Sequence, residues 1–142
     1  MNIAITCGDV AGIGPEVAFN AAKAAKKFCS PILVGPREVW GRGFPIIDVP
    51  AAKLPTLGAD SAAGGKIAMA AIDWAIAACK RKEVAAVVTA PVSKTSLHLA
   101  GYDYPGQTEY FAERCGGARV AMMLAGPSLR VVLTSTHLAL KD

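Results

Sequence analysis

Two short polar segments hold the residues whose chemistry is most informative. Gln107 and Thr108 open a predicted helix at Gly106, where a side-chain amide and a hydroxyl could bind an anionic group beside the helix N-terminus. Thr108 could also be the cap of that helix, and spacing alone favours the cap. His137 follows an apolar, β-branched run among hydroxyl residues, so its imidazole is a candidate metal ligand. A zinc site needs three or four ligands, and no second histidine lies at a matching spacing. The other histidine, His98, is expected to be a packed or surface residue.

A glycine-rich turn follows the first apolar run, at Gly8 to Glu16. Its glycines permit close backbone approach, and the amides of the next helix point at the turn, which suits an anion. The turn is not a P-loop, because no Gly-Lys-Ser/Thr follows, and it lacks the third glycine of the dinucleotide fingerprint. The alternative is a tight strand-to-helix connection in which Asp9 and Glu16 merely favour the helix N-terminus. Spacing alone favours this second interpretation.

A third polar segment, Thr89 to Lys94, comes where the most buried predicted strand ends. Ligands of open α/β sheets gather beyond the carboxyl ends of the strands. Ser93 is expected to cap the helix that follows. The role of Lys94 stays open.

Sequence patterns typical of strands and helices alternate along the chain, and the predicted strands and helices must position these polar segments. Strands are predicted at Asn2 to Thr6, Pro31 to Gly35, Pro45 to Val49, Ala85 to Thr89, Arg119 to Leu124 and Leu129 to Thr134, the last two as a hairpin. Helices are predicted at Pro15 to Phe28, at Ser93 to Ala100 and at Gly106 to Cys115. A further long helix, which Asp60 or Ser61 can cap, is predicted to run to about Lys82. The all-apolar run ending at Thr89 predicts a central strand buried on both faces. The pattern predicts a three-layer α/β sandwich around a mixed, mostly parallel sheet, with 1–142 as a single unit.

Composition restricts the class of protein. The chain has 142 residues, 53% of them hydrophobic, which is enough for one domain with a single core. Its formal charge of +4 is dispersed apart from two small basic clusters at predicted helix C-termini, so no nucleic-acid surface is expected. No apolar stretch of membrane-spanning length and no leader segment are expected. The four cysteines are widely spaced, with no C-x-x-C pair, which predicts reduced thiols and a cytoplasmic protein.

Taken in chain order, these segments resemble the 4-hydroxythreonine-4-phosphate dehydrogenase family of pyridoxal phosphate biosynthesis. Each motif is weak alone, but six in the family's order are specific. The motifs are G-D-x-A-G-I-G-P-E at Gly8 to Glu16, T-A-P-V-x-K at Thr89 to Lys94, A-G-Y-x-Y-P-G-x-T-E at Ala100 to Glu109, M-M-L at Met122 to Leu124, L-R-V-V-L at Leu129 to Leu133 and T-H-L-x-L-K-D at Thr136 to Asp142.

The resemblance implies a fold similar to isocitrate and isopropylmalate dehydrogenases, with 1–142 as the N-terminal portion of a larger, two-subdomain, homodimeric enzyme. It implies that NAD or NADP oxidises the secondary alcohol of 4-phosphohydroxythreonine or a related phosphorylated hydroxy acid, followed by decarboxylation. A divalent metal, typically zinc, with magnesium or cobalt as alternatives, would act as a Lewis acid.

The resemblance also implies roles for particular residues. His137 matches the first of three family metal histidines, Thr108 matches a substrate-binding threonine, and Gln107 occupies the place of a substrate-binding histidine. No catalytic or cofactor-binding residue is assigned in this chain. The other two metal histidines belong to a half that this chain lacks, so the chain alone is expected to be inactive.

Departures from the family pattern leave the substrate open. Gln107 can donate hydrogen bonds but cannot carry charge or shuttle a proton. Cys7 and Val10 replace two prolines usual in the turn, and the stretch 39–60 is short for the family. Other phosphorylated hydroxy acids or cyclic diols are therefore candidate substrates. Two other function classes compete: a non-catalytic, stand-alone α/β module that binds an anion, and a phosphotransacetylase-like acyl transferase that binds coenzyme A without a metal, against which His137 argues.

Overall fold

A computed structural model describes Met1–Thr134 and divides the chain into two compact units. The first, Met1–Asp103, contains a four-stranded parallel sheet and three α-helices, and we call it the sheet unit. The second, Tyr104–Asp142, has a helix and a two-stranded hairpin among its residues up to Thr134, and we call it the C-terminal unit. The organisation of 1–142 as a single α/β unit within a larger two-subdomain enzyme stays a prediction.

The elements follow the alternation predicted from the sequence, with ends that differ by a few residues. The sheet unit consists of β1 (Asn2–Thr6), α1 (Gly14–Ala25), β2 (Ser30–Gly35), a 3₁₀ turn (Arg37–Val39), β3 (Ile46–Asp48), α2 (Ala62–Lys80), β4 (Ala86–Thr89) and α3 (Lys94–Leu99). The C-terminal unit consists of α4 (Gln107–Arg114), β5 (Met123–Ala125) and β6 (Arg130–Val132).

The order of the strands reverses once along the chain. All neighbours in the sheet are parallel, and the order is β3-β2-β1-β4. The chain moves from β1 through β2 to β3, and α2 then carries it back to the other side of β1. Since parallel crossovers are right-handed, this reversal puts α1 and α2 on opposite faces and produces the expected three layers. It also makes a topological switch point between the carboxyl ends of β1 and β4, where ligands of open α/β sheets bind.

Helix α2 supplies much of the core. The predicted stripe is buried at Ile67, Ala71 and Ala78, and Trp74 is half-buried against the same core. The absence of an apolar stretch of membrane-spanning length is a wrong prediction, because α2, with 19 residues, is long and apolar enough to cross a membrane. In this protein 56% of that stretch is buried inside the fold, and a core helix passes the same length and composition test.

The expected burial of β4 on both faces is wrong. The strand pairs with β1 alone, with Ile3 opposite Ala86, and is the outermost strand of the described sheet. Val88 is 46% exposed, and Ala86 is exposed. An apolar, β-branched run indicates that burial of the strand is favourable. It does not determine the position of the strand in the sheet, because strand order depends on pairing with segments distant in sequence.

All four cysteines are free thiols. Cys7 follows β1 and is fully buried, and burial raises the pKa of its thiol to about 12. The charge of Asp9 acts in the same direction, while a backbone hydrogen bond opposes the shift. The Cys7 thiol therefore stays protonated at neutral pH and packs as a small apolar side chain.

The hairpin of the C-terminal unit matches its prediction. Strands β5 and β6 are antiparallel, with Leu124 opposite Val131, and 126–129 forms the connection. Its apolar side chains are largely uncovered by the described residues: Met123 is 54% and Leu129 is 69% exposed. A two-stranded hairpin with apolar, exposed side chains is marginal without further packing.

Candidate functional site

The switch point of the sheet unit brings two sequence motifs into contact. The glycine-rich turn leaves β1, the segment 89–94 leaves β4, and the amide of Asp9 donates to the carbonyl oxygen of Pro91 at 2.8 Å. Gly8 has φ +61°, and a Cβ at this position would overlap the Pro91 carbonyl oxygen. A side chain at residue 8 would be strained and would push the two segments apart. The two motifs therefore share one tightly packed edge beyond the strand ends.

The glycine-rich turn uses its own amides. Besides the Asp9 amide, the amide of Ala11 donates to the Asp9 carboxylate at 2.9 Å, and the amide of Gly12 donates to the Asp9 carbonyl at 3.2 Å. The acidic side chain of Glu16 lies in the first turn of α1, where an anion would be repelled. Of the two interpretations of this turn, the geometry supports the tight connection over the anion cradle or pyrophosphate loop.

A network of hydroxyls joins the starts of α2 and α3. Ser61 caps α2 by accepting from the amide of Gly64 at 3.1 Å, and Ser93 caps α3 by accepting from the amide of Ser96 at 3.1 Å. The hydroxyls of Ser93 and Ser96 both donate to the carboxylate of Asp60, the latter at 3.3 Å. The amide of Ser61 donates to the Ser96 hydroxyl at 3.1 Å. The predicted cap Ser93 is confirmed, and of the two candidate caps for α2, Asp60 and Ser61, it is Ser61 that caps the helix.

The sequence did not single out Asp60 or Ser96 as members of a shared network. They are separated by 36 positions, so no local pattern pairs them. The one available signal is that Asp60 directly precedes the Ser61 cap. The network is structural in character, because each of its hydroxyls already serves a helix start or the Asp60 carboxylate.

The C-terminal unit places Gln107 and Thr108 together in the first turn of α4. The N-cap is Gly106, and α4 has no side-chain cap, so the cap role considered for Thr108 is wrong. The Oε1 atom of Gln107 is buried and accepts no hydrogen bond from any described residue. The carboxylate of Glu109 lies 3.1 Å from where a Cβ on Gly106 would be, so an acid folds back over this helix start. An anionic ligand would have to displace it.

Tyr104, which precedes α4, contacts the second half of the helix. The hydroxyl of Tyr104 donates to the Glu113 carboxylate at 3.0 Å. The rings of Tyr104 and Tyr110 meet edge to face with centroids 5.0 Å apart, and the guanidinium of Arg114 lies 5.9 Å from the Tyr110 centroid. Tyr110 is buried. These contacts hold the segment that precedes α4 against the middle and last turn of the helix.

The predicted metal ligand His137 lies outside the described residues, 1–134. Within that range, no group of three or more His, Cys, Asp or Glu side chains could hold a metal. His98 is exposed, and its Nδ1 lies 3.3 Å from the carboxylate of Asp103, as expected for a surface histidine. The described residues therefore do not form a metal site by themselves.

Comparison with known proteins gives consistent results. The family model described as "Pyridoxal phosphate biosynthetic protein PdxA" matches residues 9–142. A 4-hydroxythreonine-4-phosphate dehydrogenase of Zymomonas mobilis is 35% identical over 165 residues, covering 99% of this chain and 49% of that protein. A D-threonate 4-phosphate dehydrogenase of Cupriavidus necator is also 35% identical, covering 99% and 50%.

The fold is similar to that of a solved structure over nearly the whole chain. The crystal structure of 4-hydroxythreonine-4-phosphate dehydrogenase from Klebsiella pneumoniae superposes with a TM-score of 0.86 at 31% identity, covering 98% of this chain and 52% of that one. The chain spans about half the length of the curated relatives it matches. Because the family model covers nearly all of the chain, the protein belongs to the family of the pyridoxal phosphate biosynthetic protein PdxA.

Proposed function

We propose that the protein containing this chain is an NAD- or NADP-dependent dehydrogenase that oxidises the secondary alcohol of a phosphorylated hydroxy acid. The substrate is 4-phosphohydroxythreonine or a close relative such as D-threonate 4-phosphate. The observation that carries this proposal is the family match over residues 9–142 together with the names of the relatives. When bound, NAD or NADP would supply the hydride acceptor for oxidation of the alcohol, and the resulting keto acid would then lose carbon dioxide.

The described residues support a binding role. Gln107 and Thr108 offer a neutral amide and a hydroxyl on the uncapped first turn of α4, which suits an oxyanion of the substrate. The alternative of a stand-alone anion-binding module loses support at the glycine-rich turn, because three of its amides already donate within the sheet unit.

The remaining features of the enzyme are proposals that follow from the family. A divalent metal, with zinc favoured over magnesium or cobalt, would supply Lewis-acid chemistry, and His137 would be one of its ligands. The whole protein would be a cytoplasmic homodimer in vitamin B6 biosynthesis, without a nucleic-acid or membrane partner.

The assay that tests the proposal uses the product of the gene that contains this chain. It compares 4-phosphohydroxythreonine, D-threonate 4-phosphate and unphosphorylated D-threonate, each with NAD and NADP, by NADH or NADPH absorbance. We expect kcat/KM for a phosphorylated substrate to exceed that for D-threonate by at least about 100-fold, because hydrogen bonds to a charged group contribute roughly 1.5–3 kcal/mol each. Equal rates with and without the phosphate would contradict the proposal.

Replacing Gln107 by histidine should introduce pH dependence into substrate binding. The wild-type amide does not titrate, whereas an imidazole gains a positive charge below its usual pKa of about 6.5. In the Gln107→His protein, the KM for 4-phosphohydroxythreonine should fall as pH is lowered from about 8 to about 6, relative to the wild type, and preference should shift towards that substrate. Parallel pH profiles and an unchanged substrate preference would show that residue 107 does not determine specificity.

A further inference from the structure

Lys94 is a charged residue near the switch point, and the sequence motifs assign no role to it. It is exposed and is the first residue of α3, directly after the segment that leaves β4, and its side chain forms no hydrogen bond or ion pair with a residue of Met1–Thr134. The neighbouring polar groups, in contrast, have hydrogen-bond partners. The carboxylate of Asp9 accepts from a backbone amide, and the carboxylate of Asp60 accepts from the hydroxyls of Ser93 and Ser96.

The backbone that carries Lys94 is held from two sides. The carbonyl of Pro91 accepts from the amide of Asp9 at 2.8 Å, and Gly8 leaves no space between the two segments. On the other side, the Ser93 hydroxyl accepts from the Ser96 amide and donates to Asp60. The position of the Lys94 backbone is therefore fixed beyond the sheet, while its long side chain is free to reach a ligand. A cation on a preorganised backbone binds an anion at a lower ordering cost.

We propose that Lys94 binds an oxyanion of the substrate, a phosphate or a carboxylate, at the switch point between β1 and β4. The choice of a lysine over backbone amides follows from the turn itself, because the amides of Asp9, Ala11 and Gly12 donate within the protein. A flexible ammonium suits either oxyanion as a point charge. This inference rests on the proposed function for the identity of the substrate, but the presence of an anion site can be tested without turnover.

The direct test is calorimetric titration of the gene product with inorganic phosphate and, separately, with acetate. The variants are Lys94→Gln, Lys94→Arg and the control Lys82→Gln. Lys82 is an exposed lysine in the turn between α2 and β4, at the amino end of that strand, and its replacement changes the net charge equally. We expect Lys94→Gln to weaken the affinity for phosphate or acetate about tenfold or more, Lys94→Arg to retain most of it, and Lys82→Gln to leave it unchanged.

The results separate the anion site from the proposed enzyme. If Lys94→Gln loses affinity for phosphate alone, Lys94 binds the phosphoryl group of the substrate. If it loses affinity for acetate alone, Lys94 binds the carboxyl group. Equal loss in Lys94→Gln and Lys82→Gln, or no anion binding by the wild type, would overturn the inference. In steady-state kinetics, Lys94→Gln should raise the KM for the phosphorylated substrate with kcat little changed, and this increase should shrink at high salt. A wild type that binds phosphate through Lys94 but oxidises no phosphorylated hydroxy acid would refute the proposed function alone.

Discussion

Expressed by itself, the 142-residue chain should show no turnover of 4-phosphohydroxythreonine with NAD and zinc. Hydride transfer requires the alcohol and the nicotinamide to be held in contact, and such positioning is worth roughly 10⁵-fold or more in rate. A catalytic zinc needs about three protein ligands. No such group exists among the described residues, and by resemblance His137 is one of three metal histidines, the other two of which lie outside this chain. The chain spans about half of each relative.

The measurement is NADH absorbance, with the full-length Zymomonas mobilis relative as the positive control. Zinc content after dialysis provides a second observable, and we expect far less than one zinc per chain. Turnover that survives purification and disappears in a His137→Ala variant would contradict the expectation. If the chain retained one zinc per molecule after dialysis and the His137→Ala variant lost it, the expectation of poor zinc binding would be contradicted.

Replacing Gly65 by alanine should destabilise the chain by about 3 kcal/mol. A Cβ on Gly65 would overlap the backbone carbonyl oxygen of Ser96 and approach the Cβ of Ala100 to 2.8 Å. A carbonyl group cannot rotate away as a side chain can, so α3 would have to move from α2 and take the Ser93 and Ser96 bonds to Asp60 with it. The gain of about 1 kcal/mol that alanine brings to a helix would not offset this cost.

The neighbouring glycine provides a matched control in the same helix. A Cβ on Gly64 would lie 3.3 Å from the Ser61 hydroxyl and 3.4 Å from the Asp9 carboxylate, contacts that small side-chain shifts relieve. Gly64→Ala should therefore change the free energy of unfolding by less than about 1 kcal/mol. Urea denaturation of the two variants gives the comparison, and equal stability would show that α2 and α3 do not require the close approach at Gly65.

The sequence by itself determined the local structure of this protein. Short apolar runs predicted β1, β2 and the hairpin, and apolar residues at helical spacing predicted α1 and α2. Ser93 was predicted as a cap and is one, and Ser61 is one of the two residues predicted as candidate caps of α2, because a cap depends on residues three positions away. The motifs also identified the family, since their order along the chain is a property of the sequence.

Only the tertiary structure decided where those pieces meet. The edge position of β4 depends on its pairing with β1, far away in the sequence, and an apolar run carries no information about strand order. The glycine-rich turn suited an anion by composition, yet its Asp9 amide and carboxylate are used within the fold. The pairing of Asp60 with Ser93 and Ser96 likewise depends on α2 and α3 packing closely at Gly65. Local patterns indicate which conformation a residue prefers, whereas its partners are determined by contacts between segments that are distant in sequence.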